Sequence, residues 1–158
     1  MNETIDHSQE KTLTNIKDIC WLAGAFDADG TVTIRDAKAR SPHPYFDLSN
    51  SDDVFIEKTV RVLKSLGVNP HIREQKLNKK WKTVFRVSLG KQLQVKKVLQ
   101  ILLPYLTAKK ARASLVIDYI DNHNYEIVKD VKLLNKRGDV CSSETTRENA
   151  PAIGASMI

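Results

Sequence analysis

The segment Ile19–Phe26, ICWLAGAF, is eight apolar residues without a polar interruption, and it closes on Asp27, Ala28, Asp29 and Gly30. Wound as a helix, such a run is apolar all round and must be covered on every side, by its own core and by something else. Asn15 followed by Asp18 has the pattern of a capping box that opens the helix, and Gly30 ends it. The run is far shorter than the ~20 residues that span a bilayer, so no membrane partner is expected.

Downstream the period changes. Thr31–Asp36 (TVTIRD) alternates with period two and predicts a strand, and Tyr45–Asn50 (YFDLSN) predicts its return. Residues 36–44, with Pro42 and Pro44, read as the loop between them. Asp52 and Asp53 suit the positive end of a helix carrying Phe55, Ile56, Val60, Leu63 and Leu66, with Gly67 as its C-cap. The pattern then recurs. Residues 71–77 (HIREQKL) and 81–89 (WKTVFRVSL) predict a second strand pair around Asn78, and Leu93, Val98, Leu99 and Leu102 a second helix stopped by Pro104. The strand–strand–helix unit thus occurs twice, about 40 residues apart. Residues 108–122 (Leu115, Val116, Tyr119, Ile120) predict another helix and 125–136 a last short one. Two hairpins with helices on one side make an α+β fold, an antiparallel sheet covered on one face. The expected division is a polar tail over 1–13, one domain over 14–137 and an irregular tail over 138–158.

Composition bounds the partner. The chain has 158 residues, 41% apolar and 28% charged, a globular balance for one domain. Lys and Arg number 25 against 19 acids, a net charge of +6, which favours a polyanionic partner. The first residues, MNETIDHSQEKTLTN, fit neither a secretory leader nor an Arg-rich transit sequence. Cys20 and Cys141 form no metal-binding spacing and no disulfide framework, so a reducing interior is expected, the cytoplasm or the inside of an organelle. On the strands, Val32 and Ile34 oppose Thr31, Thr33 and Arg35; Ile72 and Glu74 oppose His71, Arg73 and Gln75; Trp81, Phe85, Val87 and Leu89 oppose Lys80, Lys82, Val84, Arg86 and Ser88. The solvent face therefore collects the side chains that contact phosphates and base edges, and a two-stranded ribbon fits the major groove of DNA.

Leu22–Gly30 reads LAGAFDADG and strongly resembles the LAGLIDADG signature of homing endonucleases and their maturase relatives, differing only at Ala25 and Phe26, which keep both positions apolar. The family core, αββαββα with a saddle-shaped antiparallel sheet, has the element order predicted above. PYLTAKKARA at Pro104–Ala113 resembles a second family feature, an apolar stretch followed by a lysine. The likeness covers about residues 15–122.

Asp27 and Asp29, two residues apart on a helix, face in different directions and cannot readily share one ion, so one is expected to be structural and one catalytic. The resemblance implies that Asp29 binds a divalent metal, magnesium with calcium or manganese as substitutes, helped by the carbonyl of Ala28, while Asp27 holds the motif's end together. It implies a role in ordering water for Asn50 and a place near the attacking water for Lys109, with Lys110 the alternative if the register shifts by one. A basic residue that some relatives place early in the second helix is missing from DDVFIEK. One motif per chain implies a homodimer that packs its motif helices through Leu22, Ala23, Gly24, Ala25 and Asp27 and cuts both strands of a long pseudo-palindromic duplex. Base recognition is expected from Arg35, His43, Tyr45, Asp47, His71, Arg73, Gln75, Lys82 and Arg86, and phosphate contact from Lys38, Arg40, Lys79 and Lys80. The implied activity is metal-dependent, site-specific DNA cleavage by an intron-encoded protein, with no small-molecule substrate. An RNA-splicing maturase and a non-cleaving DNA-binding regulator are the alternatives on the same scaffold.

Overall fold

The computed structural model describes residues 7–36, 42–76 and 82–137. Helix α1 (His7–Asp29) carries the apolar run and passes directly into β1 (Gly30–Asp36), which pairs antiparallel with β2 (Pro42–Asn50). Helix α2 (Asp53–Ser65) leads to β3 (His71–Gln75) and β4 (Val84–Leu89). Then come α3 (Gln92–Leu102), one 3-10 turn at Leu103–Tyr105, α4 (Lys110–Asn122) and α5 (Glu126–Arg137). The four strands form one antiparallel sheet in the order β1-β2-β4-β3, the hairpins joining through β2 and β4. This is the expected α+β arrangement.

The core lies between the helices and one face of the sheet. Val32, Ile34, Phe46, Leu48, Val87 and Leu89 point into it from the strands, and Phe26 of α1 stacks on Phe46 with ring centroids 4.4 Å apart. Asp52 caps α2 by accepting the Phe55 N–H at 3.2 Å, and Gly67 ends the helix in a left-handed conformation at φ +74°.

Four details differ from the sequence reading. Helix α1 begins at His7, so residues 7–13 are helical rather than tail, and the Asn15–Asp18 pattern sits inside the helix instead of opening it. Pro42 and Pro44 belong to β2 rather than to a loop. This part of β2 pairs only with β1, because pairing with β4 begins at Phe46, so a missing N–H costs no bond on the other side. The Pro42 carbonyl accepts the Tyr119 hydroxyl at 2.8 Å. Leu93 is 80% exposed in the first turn of α3, and Val95 takes the core position. Ile72 on the edge strand β3 is 48% exposed, so β3 contributes little to the core.

The α1–β1 junction requires Gly30. A Cβ there would sit 2.0 Å from Cδ2 of Phe26 and 2.6 Å from the Phe26 carbonyl oxygen, and Phe26 is fully buried. Gly30→Ala is expected to destabilise the fold by about 1–3 kcal/mol through overpacking, read as a lowered urea midpoint with an unchanged slope.

Candidate functional site

Two carboxylates leave the end of α1 in different directions, as their spacing requires. Asp27 turns toward the segment that enters α4. Its Oδ2 accepts the Thr107 N–H at 2.6 Å, the Thr107 hydroxyl at 2.8 Å and the Ala108 N–H at 3.3 Å, while Oδ1 accepts the Lys109 N–H at 2.9 Å. Helix α4 has no side-chain cap of its own at Lys109, so the anion comes from α1 instead, against the positive end of the helix. Lys109 reciprocates: its Nζ donates to the Asp27 main-chain carbonyl, one of those in the last turn of α1 that lack a partner within the helix. Thus α1 and α4 cap each other.

Partial burial pulls the Asp27 pKa upward, but the bonds from Thr107, Lys109 and Ala108 outweigh it and hold the group below its ordinary value of 3.8.

Asp29 points the other way, toward the end of β2. Its Oδ2 accepts Nδ2 of Asn50 at 2.9 Å, and Oδ1 of Asn50 accepts the Asp52 N–H at 2.9 Å. The amide of Asn50 is therefore a bridge: the start of α2 fixes one end and the carboxylate takes the other. Among the described residues no other hydrogen-bond or ion-pair partner reaches Asp29, which is exposed, as is Ala28. Oxygen donors of this kind suit a hard divalent cation, which Asp29 and the Ala28 carbonyl could hold. Among the described residues no group of three His, Cys, Asp or Glu side chains converges, and Asp29 is the exposed carboxylate at the end of α1. Asn50, expected to order water, donates its amide to Asp29. Lys109 belongs to the same cluster through Asp27, while Lys110 is exposed on the first turn of α4.

The open face of the sheet is assembled by register. Arg35 opposes His43, Thr33 opposes Tyr45, Asp47 lies between Thr31 and Ser88, and Arg86 lies between Ser49 and Arg73. Arg35, Tyr45, His71, Arg73, Arg86 and Ser88 line a concavity of about 320 Å³. Arg35 stacks on Tyr45, with Cζ 3.4 Å from the ring centroid. Asp47 is only 7% exposed; burial pushes its carboxyl above the usual value, opposed by Arg86, by Arg35 and by the Ser49 hydroxyl. Gln75 and Lys82 are exposed at the far end of the second hairpin. Lys38, Arg40, Lys79, Lys80 and Trp81 lie outside the described residues.

The residues expected at a subunit contact divide. Leu22 and Ala23 are fully buried in the chain's own core, Ala25 nearly so, and Asp27 is committed to the α4 turn. Only Gly24 of that set is exposed, and a Cβ on it would meet nothing within 4 Å. The apolar run is thus covered mostly from within. The sequence reading missed Thr107, which lies far from Asp27 in the chain, and Ser49, which period-two alternation places on the open face.

Asp27→Ala is expected to cost about 1–2 kcal/mol near neutral pH, the range for a lost helix cap. A depressed pKa means that this stabilisation is present above 3.8 and fades as pH falls through the folded-state value. Urea titrations of both proteins should converge on acidification.

Comparison with known proteins bears on the fold. The model of the LAGLIDADG-like domain matches residues 18–102, more than half of the chain. No curated protein sequence matches. Among solved structures, the homing endonuclease I-CvuI in complex with its target in the presence of calcium superposes with a TM-score of 0.61 at 24% identity, over 77% of this chain and 84% of that one. The archaeal intron-encoded homing endonuclease I-Vdi141I complexed with DNA gives 0.58 at 14% identity, over 78% and 82%. The group I intron-encoded homing endonuclease I-CeuI complexed with DNA gives 0.54 at 15%, over 75% and 60%. With the family model spanning the motif helix, both hairpins and α3, the chain belongs to the LAGLIDADG-like domain family.

Proposed function

We propose that the protein is a site-specific homing endonuclease, encoded within an intron, that acts as a homodimer and hydrolyses both strands of a long pseudo-palindromic DNA target with a divalent metal. The observation that carries this reading is the Asp29–Asn50 pair: an exposed carboxylate held in place by an amide, at the end of the motif helix and beside a basic sheet face. A protein that only binds DNA has no need to fix an exposed carboxylate.

Each chain has a defined part. The sheet face docks on the duplex through Arg35, Arg73 and Arg86, and its positive charge neutralises phosphates. Asp29 and the Ala28 carbonyl are the groups that would hold the cation; one carboxylate per chain leaves the remaining oxygens to water, phosphate and the partner's motif end. A bound divalent cation supplies charge neutralisation at the phosphate and a more acidic water. Asn50 keeps Asp29 in one orientation, and Lys109, attached to Asp27 two residues before Asp29, adds a positive charge close by.

The dimer reading rests on the exposed face of α1. Ile16, Cys20, Gly24 and Ala28 recur every fourth residue and are exposed, opposite the buried Leu22, Ala23 and Phe26. Residues three or four apart share one helix face, and small side chains there allow two helices to approach closely. Two such helices in contact bring two Asp29 side chains to the centre of one duplex, where staggered cuts follow.

Incubating the protein with a duplex library in magnesium, and again in EDTA, tests the reading. Metal-dependent double-strand cleavage that vanishes in Asp29→Asn and falls about 10- to 100-fold in Asn50→Ala is expected. Tight duplex binding with no cutting in any metal would favour a DNA-binding regulator. Selective binding of a structured intron RNA would favour a maturase.

A further inference from the structure

Three arginines share the open face of the sheet, and one of them is held differently. Arg86 stands directly across from Arg73 on β3, a like-charge pair that costs stability unless an anion lies between or nearby. The nearby anion is Asp47. Its Oδ2 lies 3.2 Å from Nε of Arg86, and the Ser49 hydroxyl accepts from the same Nε at 3.3 Å. Ser49 also donates to Oδ1 of Asp47 at 3.5 Å. The Asp47 side chain is 10% exposed and that of Arg86 40%, so the carboxylate lies beneath and the guanidinium above. Among the described residues nothing engages the terminal nitrogens of Arg86. Arg35, by contrast, stacks on Tyr45, and no described residue bonds its guanidinium.

A guanidinium whose Nε donates to Ser49, with the Asp47 carboxylate 3.2 Å from the same nitrogen, leaves the edge formed by its two terminal nitrogens to a ligand. That edge matches the paired acceptors O6 and N7 of guanine in the major groove. Asp47 is too enclosed to take the amino group of a cytosine itself.

We propose that Asp47 and Arg86 form one guanine-reading unit, in which Arg86 makes the base contact and Asp47, braced by Ser49, is a positioning residue that fixes the guanidinium for it. The unit rests on the DNA-binding reading given above and assigns its chemistry at one base pair in each half-site. Holding the fork before binding spares the ordering of a long side chain at the moment of recognition. Asp47 also offsets the repulsion between Arg86 and Arg73.

Selection from a randomised duplex pool with the full-length protein in calcium identifies the preferred sequence. Wild type, Arg86→Lys, Asp47→Asn and Ser49→Ala are then titrated against duplexes carrying each of the four base pairs at every position. One position in each half-site is expected to require guanine. Arg86→Lys and Asp47→Asn should each lower that preference roughly ten-fold or more at the same position and leave the others unchanged, while Ser49→Ala lowers it less. A residue that only supported the fold would weaken all sequences alike, and Ser49→Ala guards against an Asp47 variant that fails to fold. A preference altered by Asp47→Asn at a different position from Arg86→Lys would mean that Asp47 reads its own base, and an unchanged profile would mean that it positions nothing; either result overturns the unit. If wild type selects no sequence, the DNA-binding reading fails, and the unit with it.

Discussion

The carboxylate of Asp27 ties the end of α1 to the start of α4. Four donors from residues 107–109 converge on it, and the Lys109 side chain returns to the carbonyl of the same residue. Helix ends leave backbone groups without partners, and a buried end without a cap is costly. Here the C-terminal end of α1 and the N-terminal end of α4 solve the problem for one another. That lock brings Lys109 to the stretch of chain that carries Asp29, although the sequence separates them widely. It also explains why two aspartates so close together are not redundant: one has given its oxygens to the fold, while among the described residues Asn50 alone bonds the other.

The second constraint is the junction at Gly30. Helix α1 becomes β1 without a connecting loop, so the Asp29 carboxylate stands where the helix meets the sheet edge, and Asn50 at the end of the adjacent strand reaches it. Gly30↔Leu48 begins the register that carries Asn50 to this end of the sheet. The Asp29–Asn50 pair and the open basic face are therefore not separate modules. A shift of one residue in the β1–β2 register would turn Tyr45 and Asp47 into the core and Phe46 out to solvent.

Much of this architecture is legible in the amino-acid pattern alone. Period-two segments mark the four strands, because a sheet with one buried face must alternate, and the motif helix announces itself through its apolar run and terminal acids. What stays hidden has common causes. Pro42 and Pro44 read as loop because proline breaks pairing, yet only one side of β2 is paired there. Leu93 reads as core because apolar spacing does not tell which turn of a helix faces outward. Thr107 escapes as the partner of Asp27 because no local pattern reveals a cap supplied from another helix. The Asp47–Arg86 pair is foreseeable only as a requirement: a carboxylate on that face needs a partner, and the register of β2 against β4 decides which.

The proposed function requires that the Asp29 carboxylate of each chain be sufficient once two chains meet on the duplex. Native mass spectrometry of the protein bound to its selected DNA in calcium counts the chains directly. Two chains on one uncleaved duplex is the predicted stoichiometry, with cleavage of both strands once magnesium replaces calcium. A complex of one chain per duplex that still cuts both strands would contradict this.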